Sequence, residues 1–310
     1  MAELGAYNLC GWHIASEIPL PELPSWTGAP RAPDIVIALG EVPAALDSLT
    51  LHTPALQIDR SGRARYAITG VAAYLIEGGN RVTIAPLLAP DSADVRLFLL
   101  GSVFGILCHQ RGVLPLHAAS VEVDGQAIAL AGVSGVGKST LATAFMRKGY
   151  RLLADDVTPV TLDQGAIRFL PGMRRIRLWA DSARFAEWQD GELIRCREGL
   201  QKFSRAFVHD EGFAPEAMAP SAVIHLRQIS PTAGDSNFVR LRGHSASREL
   251  RRNIYRWRSL LTLAGDSGAV ERITVAAGGI PRHFLFSRPF GYDQLDATVD
   301  TIVETVRLAQ

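Results

Sequence analysis

Residues 132–139 of this chain read Gly132-Val133-Ser134-Gly135-Val136-Gly137-Lys138-Ser139. Glycines at these spacings let successive backbone N–H groups converge on a polyphosphate, while the lysine neutralises its charge and the serine hydroxyl can bind Mg²⁺. The stretch therefore has the residues of a complete phosphate-binding loop.

The residues on either side of the loop favour this interpretation. The apolar run 127–131 predicts a buried strand, and residues 140–146 predict a helix. Because such a helix begins at the loop, its unpaired N–H groups and the positive end of its dipole point at a bound phosphate. The predicted nucleotide-binding residues are consecutive in the chain: Gly132, Val133, Ser134, Gly135, Val136, Gly137, Lys138, Ser139 and Thr140.

The sequence before the loop departs from common mononucleotide-binding folds. Residues 116–123 alternate as a strand does, and Asp124-Gly125 is a two-residue hairpin turn signal. The strand that leads into the loop is thus predicted to be the second arm of an antiparallel hairpin, whereas in common folds it opens a parallel βαβ unit. Downstream, residues 150–154 predict another strand, which ends in Asp155 and Asp156. Two carboxylates beside a phosphate loop indicate metal and proton chemistry.

Three elements in this order resemble the catalytic core of HPr kinase/phosphorylase: residues 116–120, the loop at 132–139, and residues 148–156. That family has a phosphoenolpyruvate-carboxykinase-like nucleotide fold, and its members phosphorylate a serine of a protein. The resemblance implies an α/β fold with a mixed sheet. It places an HPr-kinase-like P-loop catalytic domain at residues 113–310, preceded by a small β-rich N-terminal module with a linking helix at residues 1–112.

The chain also resembles a subgroup of this family that is found in lasso-peptide biosynthesis. The similarity lies in residues 18–23, 109–112 and 114–118. These relatives phosphorylate the C-terminal serine of a precursor peptide, so the resemblance implies a precursor peptide as the partner. The parent family forms hexamers, which implies a homo-oligomer.

One segment departs from the parent family. Where that family carries a Glu-Ile-Arg-Gly-x-Gly signature, residues 170–179 here read Leu-Pro-Gly-Met-Arg-Arg-Ile-Arg-Leu-Trp. This departure argues against phosphorylase activity and against docking of HPr. Three arginines of the segment could reach the γ-phosphate or a peptide carboxylate, although surface salt bridges explain them equally well: Arg174, Arg175 and Arg177.

The resemblance implies transfer of a phosphoryl group from ATP, with Mg²⁺, to a hydroxyl. Lys138 clamps the phosphates, Ser139 and Asp156 bind the metal, Asp155 acts as the base, and His117 lies near the transferred phosphate. Adjacent residues of a strand point to opposite faces, so both acids serve only if the strand ends or twists there. Their roles could be exchanged, and one of them could instead cap a turn.

Composition sets further bounds on function. With 310 residues, 47% of them hydrophobic, and a net charge of +1, the chain can bury a substantial core and has no bias toward polyanions, so nucleic acid is not an expected partner. The spacing of Cys10, Cys108 and Cys196 fits neither paired disulfides nor a metal site and indicates a reducing compartment. Residues 1–12 carry no secretory pattern, and the apolar stretch 95–108 is too short to span a bilayer. The expectation is a cytoplasmic protein with no membrane partner.

Periodicity predicts the remaining elements. Ser92 is the predicted N-cap of a helix over residues 92–110. Strands are predicted at 34–39, 64–69, 73–77, 81–85, 157–162 and 167–170, helix-like stretches at 181–200, a charged loop at 204–220, and helices at 250–263 and 292–308.

Three classes of function remain open at this point. The first is a kinase that phosphorylates a peptide or protein serine, and the second is a regulatory kinase/phosphorylase that acts on HPr. The third is a nucleotide-controlled switch without transfer activity. The chain has no Asn-Lys-x-Asp guanine-recognition motif, and its pair of acids suits transfer chemistry, so the first class is preferred over the third.

Overall fold

The computed structural model describes residues 4–188, 194–195, 201–207, 212–230, 236–289 and 291–309. The chain forms two compact units. Unit 1 comprises Met1–Pro115 and Arg256–Glu271, and unit 2 comprises Leu116–Tyr255 and Arg272–Gln310. The first division falls inside strand β9 (Leu114–Leu116), and the last falls inside helix α6 (Trp257–Gly279). The domain boundary between residues 112 and 113 stays a prediction.

Unit 1 contains an eight-stranded mixed sheet with the strand order β1-β2-β3-β8-β7-β6-β5-β4. Strand β3 lies parallel to both of its neighbours, and the other pairs are antiparallel. The four strands predicted here are confirmed as β3, β6, β7 and β8, whereas four more were not predicted. The bounds are β1 (Gly5–Leu9), β2 (Trp12–Ser16), β3 (Ile35–Leu39), β4 (Leu49–His52), β5 (Leu56–Asp59), β6 (Ala64–Ile68), β7 (Ala72–Glu77) and β8 (Arg81–Pro86).

Unit 1 also contains a helical segment after β8. It has three parts: α1 (Ala93–Phe98), a π-helical turn (Leu99–Val103) and α2 (Phe104–Gln110). The predicted N-cap is confirmed, since the Ser92 hydroxyl accepts the N–H of Val95 at 3.4 Å. Among the described residues, only these 18 are apolar and long enough to cross a membrane, and 67% of them are buried inside the fold. A mostly buried helix in the core of a folded domain meets the same criteria of length and composition.

Unit 2 is built on a six-stranded mixed sheet with the order β12-β10-β11-β18-β20-β19. The predicted hairpin is confirmed: β10 and β11 are antiparallel, and both turn residues have positive φ, 52° at Asp124 and 74° at Gly125. Strands β11, β18 and β20 are parallel, so the mixed sheet is also confirmed. The bounds are β10 (Ala118–Val123), β11 (Gln126–Ala131), β12 (Leu152–Ala154), β18 (Pro220–Ile229), β19 (Asn237–Leu241) and β20 (His283–Pro289).

Helices α3 (Lys138–Arg147) and α7 (Leu295–Leu308) contribute apolar side chains to the same core as this sheet. Phe145 of α3 and Val299 of α7 are completely buried there. Complete burial of a side chain of this kind stabilises the fold by about 1.5–3 kcal/mol, so this core holds the start of α3 in place. The other elements of unit 2 are β13 (Thr158–Asp163), β14 (Ala166–Phe169), β15 (Arg175–Trp179), α4 (Ala180–Phe185), β16 (Ile194–Arg195), β17 (Lys202–Ala206) and α5 (Gly243–Arg252).

One predicted helix is wrong. The pattern over residues 250–263 predicts one basic helix, but α5 ends at Arg252 and α6 begins at Trp257. The chain turns between them because the carbonyl of Asn253 accepts the N–H of His117 and Ile254 forms a bridge with Leu116. The predicted strand 116–123 is correspondingly interrupted at His117.

The remaining predictions fall partly outside the described residues. Of the helix-like stretches at 181–200, α4 is present, while residues 189–193 and 196–200 lie outside the described ranges. Cys196 lies there too, whereas Cys10 and Cys108 are free and buried. The predicted loop at 204–220 begins as the end of β17, and residues 208–211 are not described.

Candidate functional site

The glycine-rich loop joins β11 to α3 in a backbone conformation that depends on glycine. A Cβ atom at Gly132 would lie 2.9 Å from the Val136 side chain and 3.0 Å from the carbonyl oxygen of Leu226. Gly137 is the N-cap of α3 with φ 94°, and no side chain caps the first turn of that helix. The N–H groups of the turn therefore remain available to an anion.

Lys138, the first residue of α3, is buried, and its ammonium group makes three hydrogen bonds. It donates to the carbonyl oxygens of Gly132 at 2.8 Å and Val133 at 3.0 Å, and to Nε2 of His117 at 3.0 Å. An ammonium group has three hydrogens, so all of them have partners. Burial lowers the pKa of Lys138 to about 8.

His117 lies between β9 and β10 and is held at both its backbone and its ring. Its N–H donates to the carbonyl of Asn253 at 2.6 Å, and its ring lies 5.8 Å from that of Tyr255. A carbonyl oxygen only accepts, so Nδ1 donates to the backbone oxygen of Asp156 at 2.9 Å, which leaves Nε2 to accept from Lys138. Burial and the neighbouring Lys138 lower the pKa of His117, so the ring is neutral in this arrangement.

Asp155 is 4% exposed, and both of its carboxylate oxygens accept hydrogen bonds. Oδ1 accepts the hydroxyl of Ser139 at 2.7 Å, and Oδ2 accepts the backbone N–H of Arg177 at 3.0 Å. Burial and the adjacent Asp156 raise the pKa of Asp155. This carboxylate therefore lies directly behind the serine of the phosphate loop.

Asp156 lies on the same side as Asp155 because β12 ends at Ala154 and Asp156 adopts a left-handed backbone conformation with φ 72°. Its carboxylate pairs with the Arg177 guanidinium and lies 3.6 Å from Nδ1 of His117. Burial alone would raise the pKa of Asp156, but Arg177 and His117 outweigh it and hold the pKa below its ordinary range. Both acids thus belong to the same site as the loop.

These groups border an open cleft in unit 2. Three predicted loop residues do not line it. The carbonyls of Gly132 and Val133 hold Lys138 instead, and Val136 belongs to the apolar core. The cleft is lined by His117, Ser134, Gly135, Gly137, Lys138, Ser139, Thr140, Asp156, Arg177, Leu178, Trp179, Asp181, Ser182, Lys202 and Tyr292.

The three predicted arginines lie in different surroundings, although Arg175 and Arg177 share a face of strand β15. Arg177 lines the cleft, whereas Arg174 precedes the strand and is not among the lining residues. Arg175 is buried, and its charge contributes to the low pKa of Asp156. Sequence reasoning missed Trp179, although the alternation of side chains along β15 places it on the face of Arg177.

Sequence reasoning also missed Ser182, Lys202 and Tyr292, which lie far along the chain from the phosphate loop. Lys202 is the cross-strand partner of Trp179 in the β15–β17 pair, so it reaches the cleft through a pairing that no local pattern specifies. Ser182 and Tyr292 join the cleft only through tertiary contacts of their side chains.

A chain of buried hydrogen bonds lies behind His117. Asn253, whose carbonyl holds the His117 N–H, donates through its side chain to Nδ1 of His225 at 3.2 Å. Nε2 of His225 then donates to Nδ1 of His283 at 3.3 Å, and Nε2 of His283 donates to the carbonyl of Ala277 at 3.2 Å. Burial lowers the pKa of His225 to about 3 and that of His283 to about 4, so both rings are neutral.

The oxygen donors of Ser139 and Asp156 at the cleft, with Asp155 behind Ser139, are of the kind that Mg²⁺ binds. Within the described ranges, no group of three or more His, Cys, Asp or Glu side chains is arranged to hold a metal by itself. The donors present are oxygens, from Ser139 and the two carboxylates. Mg²⁺ prefers one or two carboxylates together with phosphate oxygens and water, so this donor set suits it.

The chain is similar in sequence to HPr kinase/phosphorylases over about a third of its length or less. The protein from Treponema pallidum (strain Nichols) is 42% identical over 93 residues, which cover 30% of this chain and 27% of that protein. The protein from Lactobacillus delbrueckii subsp. bulgaricus is 30% identical over 105 residues, which cover 34% of this chain and 30% of that protein. The matches thus span about a third or less of the length of these curated relatives.

No family model matches the chain. The solved structure of the Hpr(Ser) kinase/phosphatase from Coxiella burnetii aligns with 63% of this chain and 90% of that chain, at 13% identity and a TM-score of 0.35. A likeness at this TM-score adds no support, so the link to these kinases is one of sequence over a limited stretch.

Proposed function

We propose that this protein is an ATP-dependent kinase that transfers the γ-phosphoryl group to a serine hydroxyl of a protein or peptide. The observation that carries the proposal is the meeting of Lys138, Ser139 and Asp156 at one cleft, with Asp155 directly behind Ser139. Phosphoryl transfer requires a held nucleophile, cations on the phosphates and a group that takes the hydroxyl proton, and the cleft offers candidates for each. The sequence similarity to HPr kinase/phosphorylases supports the same reaction class.

In this proposal Asp156 is the base. The family resemblance implied the opposite assignment, with Asp155 as the base and Asp156 as a metal ligand. Asp156 is ionised and lines the cleft, where it pairs with Arg177. Asp155 does not line the cleft, and both of its oxygens accept hydrogen bonds below the loop. The raised pKa of Asp155 makes it the stronger base, but a base must first reach the proton that it takes. Reach therefore favours Asp156.

The reaction can be written with every proton and bond assigned. The serine oxygen of the acceptor bonds to the γ-phosphorus, and the bond from that phosphorus to the oxygen bridging it to the β-phosphate breaks. The serine proton passes to the carboxylate of Asp156. The guanidinium of Arg177 and the ammonium of Lys138 offset the charge that spreads over the phosphoryl oxygens.

Ser139 and Asp155 are the residues that would hold Mg²⁺, which would supply positive charge to neutralise the phosphates. Lys138 must give up at least one of its three present partners to reach a phosphate. His117 is the partner that it can leave without breaking the loop, because the other two are backbone carbonyls of the loop itself. We propose that the His117 side chain lies next to the transferred phosphoryl group, where it acts as a neutral hydrogen-bonding group rather than as a cation.

We propose two candidate acceptors of the phosphoryl group, and a different observation supports each. The sequence relatives are HPr kinase/phosphorylases, so HPr is the first acceptor to test. A precursor peptide with a C-terminal serine is the second, because residues 170–179 lack the signature that the parent family carries. A cytoplasmic location and a homo-oligomeric state belong to the same proposal.

Mass spectrometry after incubation with ATP and Mg²⁺ tests the proposal. HPr and candidate precursor peptides are offered separately, and one of them should gain the mass of a phosphoryl group on serine. The Lys138→Met variant should give no gain, and the Leu162→Ala variant should react as wild type does, since Leu162 lies on β13 and does not line the cleft. ATP binding without phosphorylation of any acceptor in the panel would instead support a nucleotide-controlled switch.

A further inference from the structure

The cleft has two chemically different ends. At one end lie the charged groups that were assigned to phosphoryl transfer, His117, Lys138, Asp156 and Arg177. At the other end the hydroxyl of Thr140 lies 2.8 Å from that of Ser182, which lies 3.2 Å from the hydroxyl of Tyr292. All of these residues line the same cleft.

The phosphate loop sets the direction of a bound nucleotide. In such loops the lysine reaches the β- and γ-phosphates, while the backbone N–H groups hold the α- and β-phosphates. The γ-phosphate therefore lies at the charged end, near Lys138. The nucleoside leaves in the other direction, past Thr140 and toward the hydroxyl end.

Strand β15 connects the two ends along one wall. Arg177 and Trp179 are two residues apart, so their side chains share a face and are separated by about 7 Å. Ile176 and Leu178, on the opposite face, belong to the apolar core. Trp179 is 47% exposed although it is a large aromatic side chain, and it lines the cleft. The ammonium of Lys202 lies 5.8 Å from the centre of the Trp179 ring, so a base that stacks on the indole must take the other face or displace this group.

Tyr292, whose hydroxyl lies at this end, belongs to an aromatic stack. The ring of Tyr292 lies 5.4 Å from that of Phe185 at an interplanar angle of 30°, and the guanidinium of Arg147 lies 4.6 Å from the centre of the Phe185 ring. Arg147 is the last residue of α3, so the helix that carries the phosphate loop also supports this stack. The stack holds Tyr292 at the cleft before any ligand binds.

We propose that this end is a nucleoside subsite in which the base of the nucleotide stacks on the indole of Trp179. Tyr292 also borders the subsite, and the hydroxyls of Thr140 and Ser182 face the sugar and the α-phosphate. The inference rests on the nucleotide binding of the proposed function but not on the acceptor or on catalysis. Aromatic stacking accepts any base, so the ligand class is a nucleoside triphosphate, and the subsite distinguishes it from inorganic polyphosphate.

Calorimetry with two probes, ATP and inorganic tripolyphosphate, tests the subsite in the presence of Mg²⁺. Trp179→Ala should weaken ATP binding about tenfold and leave tripolyphosphate binding within about twofold of wild type. Trp179→Phe, which keeps an aromatic face, should retain most of the ATP affinity. Lys138→Met should weaken both probes, and Leu162→Ala, an exposed apolar residue of β13 that does not line the cleft, should weaken neither.

The outcomes separate the two proposals. Wild-type binding of ATP that Trp179→Ala leaves unchanged, or weakens equally for both probes, overturns the subsite and leaves the kinase proposal standing. Failure of the wild type to bind either probe overturns both. A circular dichroism melt of each variant identifies unfolding, and Tyr292→Ala, which should show the same selective loss of ATP affinity, provides an independent second variant.

Discussion

The ammonium group of Lys138 donates a 3.0 Å hydrogen bond to Nε2 of His117, so the lysine of the glycine-rich loop and this histidine are direct partners. Burial and then the ammonium group of Lys138 lower the pKa of His117, and the bond joins the loop to the turn after β9. Because the two side chains are in contact, a change in the charge of one should shift the pKa of the other. Titration of either residue therefore gives measurable evidence about the site.

Lys138→Met should raise the pKa of His117. Burial is the larger cause of the lowered pKa and remains in the variant, but the repulsion from the ammonium group is removed. Histidine NMR titration of wild type and variant measures the change. Leu162→Ala serves as the control with no expected shift, and an unchanged His117 pKa in Lys138→Met would contradict the contact.

ATP binding near pH 8 should be coupled to uptake of a proton. Burial holds the pKa of Lys138 at about 8, and bound phosphate favours the ammonium form, so the complex binds more protons than the free protein. Affinity should therefore fall as the pH rises above about 8. Calorimetry in two buffers of different ionisation enthalpy measures the uptake, which Lys138→Arg should abolish because a guanidinium remains protonated.

The Asp156→Asn and Asp155→Asn variants should lose phosphoryl-transfer activity for different reasons. The first removes the proposed base and should reduce phosphoryl transfer at least a hundredfold while ATP still binds. The second should raise the Mg²⁺ concentration needed for half-maximal activity, because Asp155 supports Ser139. Initial rates over a Mg²⁺ series separate the two effects, and near-normal transfer by Asp156→Asn would return the role of base to Asp155.

Asp155→Asn should also change how stability depends on pH. The folded-state pKa of Asp155 is raised, so its ionisation opposes folding, and this penalty grows as the pH rises through the ordinary range of a carboxylate and up to the folded-state pKa. Removing the ionisable group should therefore lessen the loss of stability over that interval. Urea unfolding of wild type and variant at several pH values measures it, with Asp300→Asn, an exposed residue of α7, as control.

Asn253→Asp should destabilise unit 2 by about 3 kcal/mol at neutral pH. The substitution places a buried carboxylate against the carbonyl of Glu249 and the accepting nitrogen of His225, where the wild-type side chain donates to both. Urea unfolding at pH 7 measures the loss. His244→Gln, at an exposed position of α5, is the matched control, and a loss below about 0.5 kcal/mol would contradict the hydrogen-bond direction assigned to this chain.

Much of the local structure could be read from neighbouring residues. The Asp124-Gly125 turn is a case in point, since its two positive φ values suit a short side chain and glycine, and the hairpin follows from that turn alone. The same holds for the Ser92 cap. The helix predicted over residues 250–263 failed because a distant strand end, at Leu116 and His117, pairs with residues 253 and 254 and interrupts the local helical pattern.

The primary structure alone determined the glycine-rich loop, its hairpin and the presence of two acids after β12, because each of these depends on residues that are adjacent in the chain. Tertiary structure decided which acid reaches the cleft, which nitrogen of His117 carries the hydrogen, and that Trp179 and Tyr292 lie at the other end. Those outcomes depend on contacts such as Thr140 with Ser182 and Ser182 with Tyr292, which join residues 42 and 110 positions apart. Spacing in the sequence carries no information about such contacts until the sheet and helices have packed.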